Sequence, residues 1–165
     1  IATDYGHGMI TPEAVEVLCS KAKFLAVNTQ VNAGNRGFNT ISKYRRADYI
    51  CLSESEIRLE ARSRTKNIRD IVAEVSKKLA CDYIVTTRGQ LGSLCYSRKD
   101  GFFEIPAFAV NVVDRIGAGD AVLSLTSLCA VQNAPIEILG LGGMKIIIRW
   151  HSDGFPIAAC LRQDI

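Results

Sequence analysis

The sequence lacks the features of membrane proteins and of nucleic-acid-binding proteins. No hydrophobic run reaches the roughly 18 residues that a membrane-spanning helix needs. The longest, Ala121 to Val131, is interrupted by Ser124, Thr126 and Ser127. The net charge is only +3, and the basic residues are scattered along the chain instead of forming a dense basic patch. We therefore expect neither a membrane nor a nucleic acid as partner.

The sequence also lacks the cysteine and histidine patterns of metal sites and disulfide frameworks. It has only two histidines, and its six cysteines are far apart, with no C-x-x-C pair. Zinc sites and disulfide-stabilised domains need more closely spaced ligands or a shorter, cysteine-dense chain. Most of the cysteines lie inside apolar runs, which predicts buried, reduced thiols in a cytoplasmic protein. They are Cys19, Cys51, Cys81, Cys95, Cys129 and Cys160.

The sequence does have alternating short apolar runs and amphipathic segments. Its 165 residues are 48% hydrophobic, enough for one domain with a core. The runs do not alternate apolar with polar residues, which is typical of parallel strands buried on both faces. The fold class is therefore α/β, a mostly parallel sheet covered by helices. The predicted strands are Phe24–Val27, Tyr49–Leu52 and Tyr83–Thr86, with a hairpin of Ser93–Ser97 and Phe102–Ile105; the predicted helices are Pro12–Lys23 with Thr11 as its cap, one that begins at Ser53–Glu56, Asn67–Ala80, and Ala118 to about Gln132.

Two polar segments adjoin the first strands. Ile1–Thr3 has the character of a strand end, which predicts that an amino-terminal part is missing. The tight glycine-rich turn Asp4–Gly8 follows it. The segment Asn28–Asn39 contains four asparagines, and we predict a loop at the carboxyl end of its strand.

The segment around Asp120 is the strongest candidate for chemistry. Gly117, Ala118 and Gly119 open a long apolar helix, and Asp120 lies in its first turn. The first N–H groups of a helix have no partner within the helix and attract anions such as phosphate. A neighbouring carboxylate can accept a proton from a hydroxyl that attacks a phosphoryl group. From spacing alone, the alternative that Asp120 only caps the helix stays open.

Four motifs resemble those of the ribokinase-like, PfkB-type carbohydrate kinases. Asp114–Asp120 reads D-R-I-G-A-G-D and resembles the D-T-x-G-A-G-D signature of that family. Asp4–Gly8 resembles the D-Y-G-K-G turn of the heptose-phosphate kinase branch. Leu52–Glu54 falls where the family has N-x-x-E, and Thr87–Gly92 resembles the T-x-G-x-x-G nucleotide loop. The resemblance spans residues 1–139 and implies a three-layer ribokinase-like fold without its amino-terminal part and lid.

The resemblance also implies a function and the residues that perform it. The function is ATP-dependent phosphorylation of a sugar or sugar-phosphate hydroxyl, with ATP and Mg²⁺, and with K⁺ as a possible further cofactor. A homodimer is a possible assembly. The implied roles are the catalytic base for Asp120, the anion hole for the backbone of Gly117, Ala118 and Gly119, ATP binding for Thr87, Gly89 and Gly92, water-mediated Mg²⁺ binding for Glu54, and a place near the monovalent cation for Asp114.

Several residues depart from the family pattern. Arg115 replaces the usual Thr, as in some ketodeoxygluconate kinases, and Cys51 replaces the Asn of N-x-x-E. Asn28–Gln30 replaces an acidic strand end. His7 replaces a Lys and is expected to face solvent, and Glu56 is expected on a helix surface. A ketodeoxygluconate-type sugar-acid kinase is therefore an alternative.

Residues 140–165 form an atypical tail that does not resemble the family. A second helix with small residues is expected there, and the sequence shows no such pattern. We hypothesise a reading-frame slip or a truncated gene from about Gly140. The resemblance also implies that the sugar-binding residues and the lid would precede Ile1. Because half of the substrate site is expected to be absent, a non-catalytic kinase remnant is a further alternative. A dinucleotide-binding domain is disfavoured, because its glycine motif belongs to the first strand-to-helix turn.

Overall fold

The computed structural model describes residues 1–35, 37–107 and 117–143. Two short 3₁₀ turns, Ile41–Lys43 and Gly89–Leu91, lie between the main elements. Residues 136–143 form a further helix, α5. The other elements are, in chain order, β1 (Ala2–Asp4), α1 (Pro12–Lys21), β2 (Ala26–Thr29), β3 (Tyr49–Ser53), α2 (Glu54–Glu60), α3 (Ile68–Leu79), β4 (Tyr83–Thr87), β5 (Ser93–Ser97), β6 (Gly101–Ile105) and α4 (Ala118–Val131).

The six strands form one sheet in the order β1-β2-β3-β4-β5-β6. Strands β1 to β4 pair in parallel, and β5 and β6 add an antiparallel hairpin. In the register, Asp4 lies opposite Thr29 and Ser53 lies opposite Thr87. The carboxyl ends of the four parallel strands therefore share one edge of the sheet, where an open α/β sheet offers a binding crevice. The predicted mostly parallel sheet and its hairpin are confirmed.

Helices cover both faces of the sheet and create two apolar cores. On one face, Val27, Ile50 and Ile84 of the strands belong to the same buried cluster as Ile57 of α2 and Ile71 of α3. On the other face, α4 and α5 complete a second cluster. Its members include Ala26, Cys51, Val85, Val122, Leu123 and Leu139. Successive strand residues are thus buried on opposite faces, which explains why the strands do not alternate apolar with polar residues.

Local capping fixes where the first helices begin. Thr11 caps α1 with its side-chain oxygen, which accepts from the Ala14 N–H at 3.3 Å, and Pro12 occupies the first helical position. This cap is confirmed. Ser53 caps α2 reciprocally with Glu56, because Ser53 Oγ accepts from the Glu56 N–H at 3.3 Å and Glu56 accepts from the Ser53 N–H at 2.7 Å. Helix α2 therefore starts directly at the carboxyl end of β3.

Strand β2 lies two residues later than predicted. It spans Ala26–Thr29, whereas the apolar run indicated Phe24–Val27, so the predicted loop begins after Thr29. The reason is that the Asn28 side chain is tolerated inside the sheet. Asn28 Nδ2 donates to the Cys51 carbonyl of the neighbouring strand at 2.7 Å, and Thr29 is opposite Asp4 in the β1–β2 ladder.

Two further expectations concern the rest of the described chain. Five of the six cysteines fall within it; all five are free thiols, and four of them are buried as predicted, while Cys129 is half-buried. None of the helices in the described ranges has the length and apolar character to cross a membrane. Within the predicted tail, residues 140–143 continue α5, and residues 144–165 lie outside the described ranges.

Candidate functional site

Asp120 lies at the carboxyl edge of the parallel strands. Helix α4 packs on β2 and β3, and Asp120 is in its first turn. The Tyr5 hydroxyl donates to Asp120 Oδ2 at 3.2 Å, and Gln30 Nε2 donates to Asp120 Oδ1 at 2.9 Å. Tyr5 directly follows β1 and Gln30 directly follows β2. The structure thus places the predicted base where three separate chain segments meet.

The proximity of Asp120 changes the acid–base behaviour of Tyr5. Partial burial raises the pKa of Tyr5 above its ordinary value, and the negative charge of Asp120 and the hydrogen bond to it raise it further. An interaction with Gln30 opposes this rise. The Tyr5 hydroxyl therefore keeps its proton at neutral pH and serves Asp120 as a hydrogen-bond donor.

The glycines before Asp120 leave the start of α4 accessible. Gly117 has a φ of 78°, the left-handed backbone that favours glycine, and it forms the N-cap of α4. A Cβ placed on Gly119 would meet no atom within 4 Å. The helix start therefore combines free space with backbone N–H groups that have no partner within the helix. These features fit a bound phosphate group.

The turn that carries Tyr5 is anchored by the buried carboxylate of Asp4. Asp4 accepts hydrogen bonds from the Gly6 N–H at 3.0 Å and from the Tyr44 hydroxyl at 3.0 Å, and it forms an ion pair with Lys43. Burial, followed by the charge of Asp4, raises the pKa of Tyr44 well above its ordinary value. A buried carboxylate is stable only when it is paired and hydrogen-bonded in this way. Asp4 therefore has a structural role in the turn.

The asparagine-rich loop packs against the same turn. Asn35 and Asn39 are buried, and their side-chain amides donate to main-chain carbonyls of the Asp4–Gly6 turn. Gly6 makes the close approach possible, because a Cβ there would lie 2.2 Å from Asn35 Nδ2. His7 is exposed as expected, and its Nε2 lies 2.9 Å from Asn32 Nδ2. The loop, which the sequence identifies only as polar, therefore stabilises the Asp4–Gly6 turn through these hydrogen bonds.

The predicted nucleotide loop connects β4 to β5. Thr87 ends β4, and the Arg88 N–H donates to the Gly92 carbonyl at 2.8 Å, which closes the loop. A Cβ on Gly89 would meet nothing within 4 Å, so its surface is open. Gly92 has a different role, because its Cβ would lie 1.9 Å from the Ile105 carbonyl oxygen at the end of β6. Gly92 is thus needed for close backbone packing, and the ATP contacts predicted for Thr87, Gly89 and Gly92 stay predictions.

Glu54 lies next to this loop and is held by two arginines. Glu54 accepts from Arg58 Nε at 2.8 Å and from Arg88 Nε at 3.0 Å. Burial raises the pKa of Glu54, but the hydrogen bonds and charges of the two arginines outweigh it and leave that pKa below its ordinary value. Each carboxylate oxygen thus accepts from an arginine, and the water-mediated Mg²⁺ binding predicted for Glu54 stays a prediction. Among the residues that the structure describes, no cluster of three potential metal ligands occurs.

Glu56 differs from its expected place on an exposed helix surface. It is half-buried, and besides capping α2 its Oε1 accepts from the Val31 N–H at 3.3 Å. Glu56 therefore links the start of α2 to the residue beside Gln30. The S-x-x-E spacing from Ser53 to Glu56 is typical of a capping box and could have predicted the contact between these two residues, but not the one with Val31.

The structure brings together part of the predicted site. Asp120 and its glycines lie beside the ends of β1 and β2. Glu54 directly follows β3 and Thr87 ends β4, so both residues lie at the same edge of the sheet. Asp114, with the predicted K⁺ site, lies outside the described residues. Sequence reasoning missed Tyr5 and Gln30, the two donors to Asp120, because nothing in local spacing indicates a contact across so many residues.

Comparisons with known proteins identify relatives of this chain. The sequence model of the pfkB family of carbohydrate kinases matches residues 11–143. The bifunctional protein HldE of Koribacter versatilis is 30% identical over 141 residues, which cover 84% of this chain and 28% of that protein. The bifunctional protein HldE of Citrifermentans bemidjiense is 27% identical over 131 residues, covering 78% of this chain and 26% of that protein. The chain therefore spans less than a third of the length of these relatives.

Solved structures show the same fold. Phosphofructokinase-2 from Escherichia coli, in complex with fructose-6-phosphate, matches with a TM-score of 0.56 and 18% identity, covering 64% of this chain and 35% of that one. Arabidopsis thaliana ribokinase, complexed with ribose and ATP, matches with a TM-score of 0.57 and 20% identity, covering 68% of this chain and 37% of that one. The three-layer architecture is thus the ribokinase-like fold, and the family match covers most of the chain. The chain belongs to the pfkB family of carbohydrate kinases.

Proposed function

We propose that this chain is the catalytic and ATP-binding portion of a kinase that phosphorylates a hydroxyl of a sugar or sugar phosphate. The observation that carries the proposal is the position of Asp120. Its carboxylate is held at the carboxyl edge of the sheet by Tyr5 and Gln30, directly beside the N-cap Gly117 and the open position at Gly119. A base and a phosphate-binding helix start therefore lie within one turn of helix.

The proposed step uses this arrangement to assist phosphoryl transfer. Asp120 accepts the proton of the attacking sugar hydroxyl, while the oxygen of that hydroxyl forms a bond to the γ-phosphorus of ATP. The bond between that phosphorus and the bridging oxygen breaks, and ADP leaves with the electron pair. Backbone N–H groups at Gly117, Ala118 and Gly119 stabilise the charge on the transferring group. The chain thus contributes proton acceptance and positioning.

The proposed cofactor and substrate class rest on the family and on the motifs. A ribokinase of this fold is known in complex with ribose and ATP, which supports ATP as donor. The Asp4–Gly8 turn resembles the heptose-phosphate kinase branch, and the relatives named HldE cover most of this chain. We therefore favour a sugar phosphate as acceptor. Mg²⁺ near Glu54, K⁺ near Asp114, a cytoplasmic location and a homodimer remain predictions.

A second candidate is a kinase remnant that binds nucleotide without turnover. The observation that favours it is that Arg58 and Arg88 each bind an oxygen of the Glu54 carboxylate, where they compete with the predicted water-mediated binding of Mg²⁺. Calorimetric titration with ATP and Mg²⁺ separates the two candidates when it is combined with a transfer assay. Binding with transfer supports the kinase, and binding without transfer supports the remnant.

The test of the kinase is phosphoryl transfer by Asp120→Asn compared with Asp70→Asn. Both aspartates are the third residue of a helix, and Asp70 is exposed in α3, the helical layer on the opposite face of the sheet. ADP formation is measured with a panel of sugars, hexose phosphates and heptose phosphates as acceptors. We expect Asp120→Asn to lower turnover by about 10²–10⁴-fold, the usual contribution of a general base. Asp70→Asn should retain the wild-type rate, and near-normal turnover of Asp120→Asn would exclude the role of base.

A further inference from the structure

Two side chains hold the Asp120 carboxylate, and neither takes part in the bond changes of the proposed step. Tyr5 and Gln30 come from the turns after two neighbouring strands, and each donates to a different oxygen of the carboxylate. We infer that Tyr5 and Gln30 are positioning residues that orient the Asp120 carboxylate for proton transfer. This inference rests on the proposed function and adds to it the residues that set the geometry of the base.

Two donors on different oxygens restrict the carboxylate more than one donor does. A single hydrogen bond leaves the carboxylate free to turn about its Cβ–Cγ bond. The contacts at 3.2 Å to Oδ2 and 2.9 Å to Oδ1 together fix the plane of the group. Each carboxylate oxygen has two acceptor positions, so both oxygens keep one for a substrate hydroxyl. The contacts therefore orient Asp120 without blocking its role as proton acceptor.

The asparagine loop ties the two positioning residues to each other. Asn35 Nδ2 donates to the Tyr5 carbonyl at 2.6 Å and lies 3.3 Å from the Gln30 carbonyl. Asn39 Nδ2 donates to the Asp4 carbonyl at 2.8 Å and to the Gln30 carbonyl at 3.2 Å. Both asparagines are buried, so these hydrogen bonds are shielded from water. The main chains that carry Tyr5 and Gln30 are thus held in a fixed relation, as a pre-organised site requires.

Other titratable groups surround this contact. The His7 ring stacks on the Tyr5 ring with centroids 6.3 Å apart, and Asp4 immediately precedes Tyr5. From the neighbouring elements, Cys51 of β3 and Glu56 of α2 face the same region. Burial raises the pKa of Cys51 to about 12, so its thiol is neutral at neutral pH. Variants that leave these four surrounding groups unchanged therefore isolate the effect of Asp120 on the titration of Tyr5.

The first measurement is the titration of Tyr5, which does not depend on enzymatic activity. Nuclear magnetic resonance of ring-labelled tyrosines follows each phenol with pH, and the signal that Tyr5→Phe removes is that of Tyr5. In Asp120→Asn we expect the pKa of Tyr5 to fall towards its ordinary value, because the neighbouring negative charge is gone. In Asp70→Asn the Tyr5 titration should match the wild type. A Tyr5 titration that Asp120→Asn leaves unchanged would overturn the inference.

The second measurement separates kcat from KM. We expect Tyr5→Phe and Gln30→Leu each to lower kcat about tenfold, corresponding to about 1.4 kcal/mol, and to leave the KM for ATP unchanged. Tyr5 is exposed and phenylalanine keeps its ring, so this variant should fold. The matched control is Tyr96→Phe in β5, which should retain the wild-type kcat. Wild-type kcat in both Tyr5→Phe and Gln30→Leu would overturn the inference.

The two measurements distinguish this inference from the proposed function. If Asp120→Asn shifts the Tyr5 titration while the wild-type chain transfers no phosphoryl group, the contact is supported and the kinase function is contradicted. If transfer depends on Asp120 while Tyr5→Phe and Gln30→Leu are fully active, the kinase is supported and the positioning role is contradicted.

Discussion

Replacing Gly6 with alanine should destabilise the Tyr5 turn for two separate reasons. The φ of Gly6 is 68°, and a left-handed backbone costs an L-residue about 1–2 kcal/mol. The added Cβ would also lie 2.2 Å from Asn35 Nδ2 and 2.8 Å from Asn39 Cβ. Overpacking of this kind typically costs about 1–3 kcal/mol. We therefore expect Gly6→Ala to lower the free energy of unfolding by about 2–5 kcal/mol.

Gly8→Ala is the control that separates strain from steric conflict. Gly8 also has a positive φ, of 84°, but a Cβ there would meet nothing within 4 Å. Gly8→Ala should thus show only the backbone cost, about 1–2 kcal/mol. The assay is urea denaturation followed by circular dichroism, with the slopes compared to confirm equal unfolding. Equal destabilisation by the two variants would refute the packing of Asn35 and Asn39 on Gly6.

Two further predictions concern the packing of α4 and the ion pairs of α2. Leu123 of α4 is fully buried, so Leu123→Ala should cost about 2–5 kcal/mol in thermal or urea unfolding, whereas Leu128→Ala, at an exposed position of the same helix, should cost far less. Glu60 accepts from Lys78 Nζ at 2.9 Å and from a main-chain N–H; burial raises its pKa, but these hydrogen bonds outweigh burial and lower it. The pKa of Glu60 is therefore lower in the folded chain than in the unfolded chain. Its contribution to the free energy of unfolding is complete above the unfolded pKa and is lost as the pH falls through the folded pKa. Urea unfolding should therefore show Glu60→Gln less stable than the wild type by about 1–3 kcal/mol at neutral pH, and the difference should disappear in acid; a difference that persists in acid would contradict the account.

Helices α1 to α4 and most strands could be predicted because their signals are local, whereas α5 was not predicted. Thr11 and Pro12 mark the start of α1, and the apolar spacing of Ile68 to Leu79 defines α3 within one residue of its predicted ends. The helix at Ala118 also begins where predicted, since glycines and an acid precede an apolar run. Signals of this kind depend on neighbours within one or two turns, which the sequence displays directly.

The contacts that assemble the site could not be predicted because they join distant segments. Tyr5 and Asp120 are separated by 115 residues, and Arg88 and Glu54 by 34. Such pairs depend on the strand order and on where each strand ends, which no local pattern fixes. The same limit explains the shift of β2, because the Asn28 side chain is stabilised by a carbonyl of the neighbouring strand.

The account depends on a phosphate group binding at the glycine turn before Asp120, and calorimetric titration of Gly119→Ala with ATP and Mg²⁺ tests this most directly. The added methyl has free space in this structure, so the fold should be retained, but it would occupy the space where a phosphate approaches the helix start. Gly142→Ala in α5, where a Cβ also meets nothing within 4 Å, is the matched control. We expect Gly119→Ala to weaken ATP binding by about 10–100-fold, the loss of one charge-assisted hydrogen bond, and Gly142→Ala to bind as the wild type does. Wild-type affinity in Gly119→Ala would contradict the central claim.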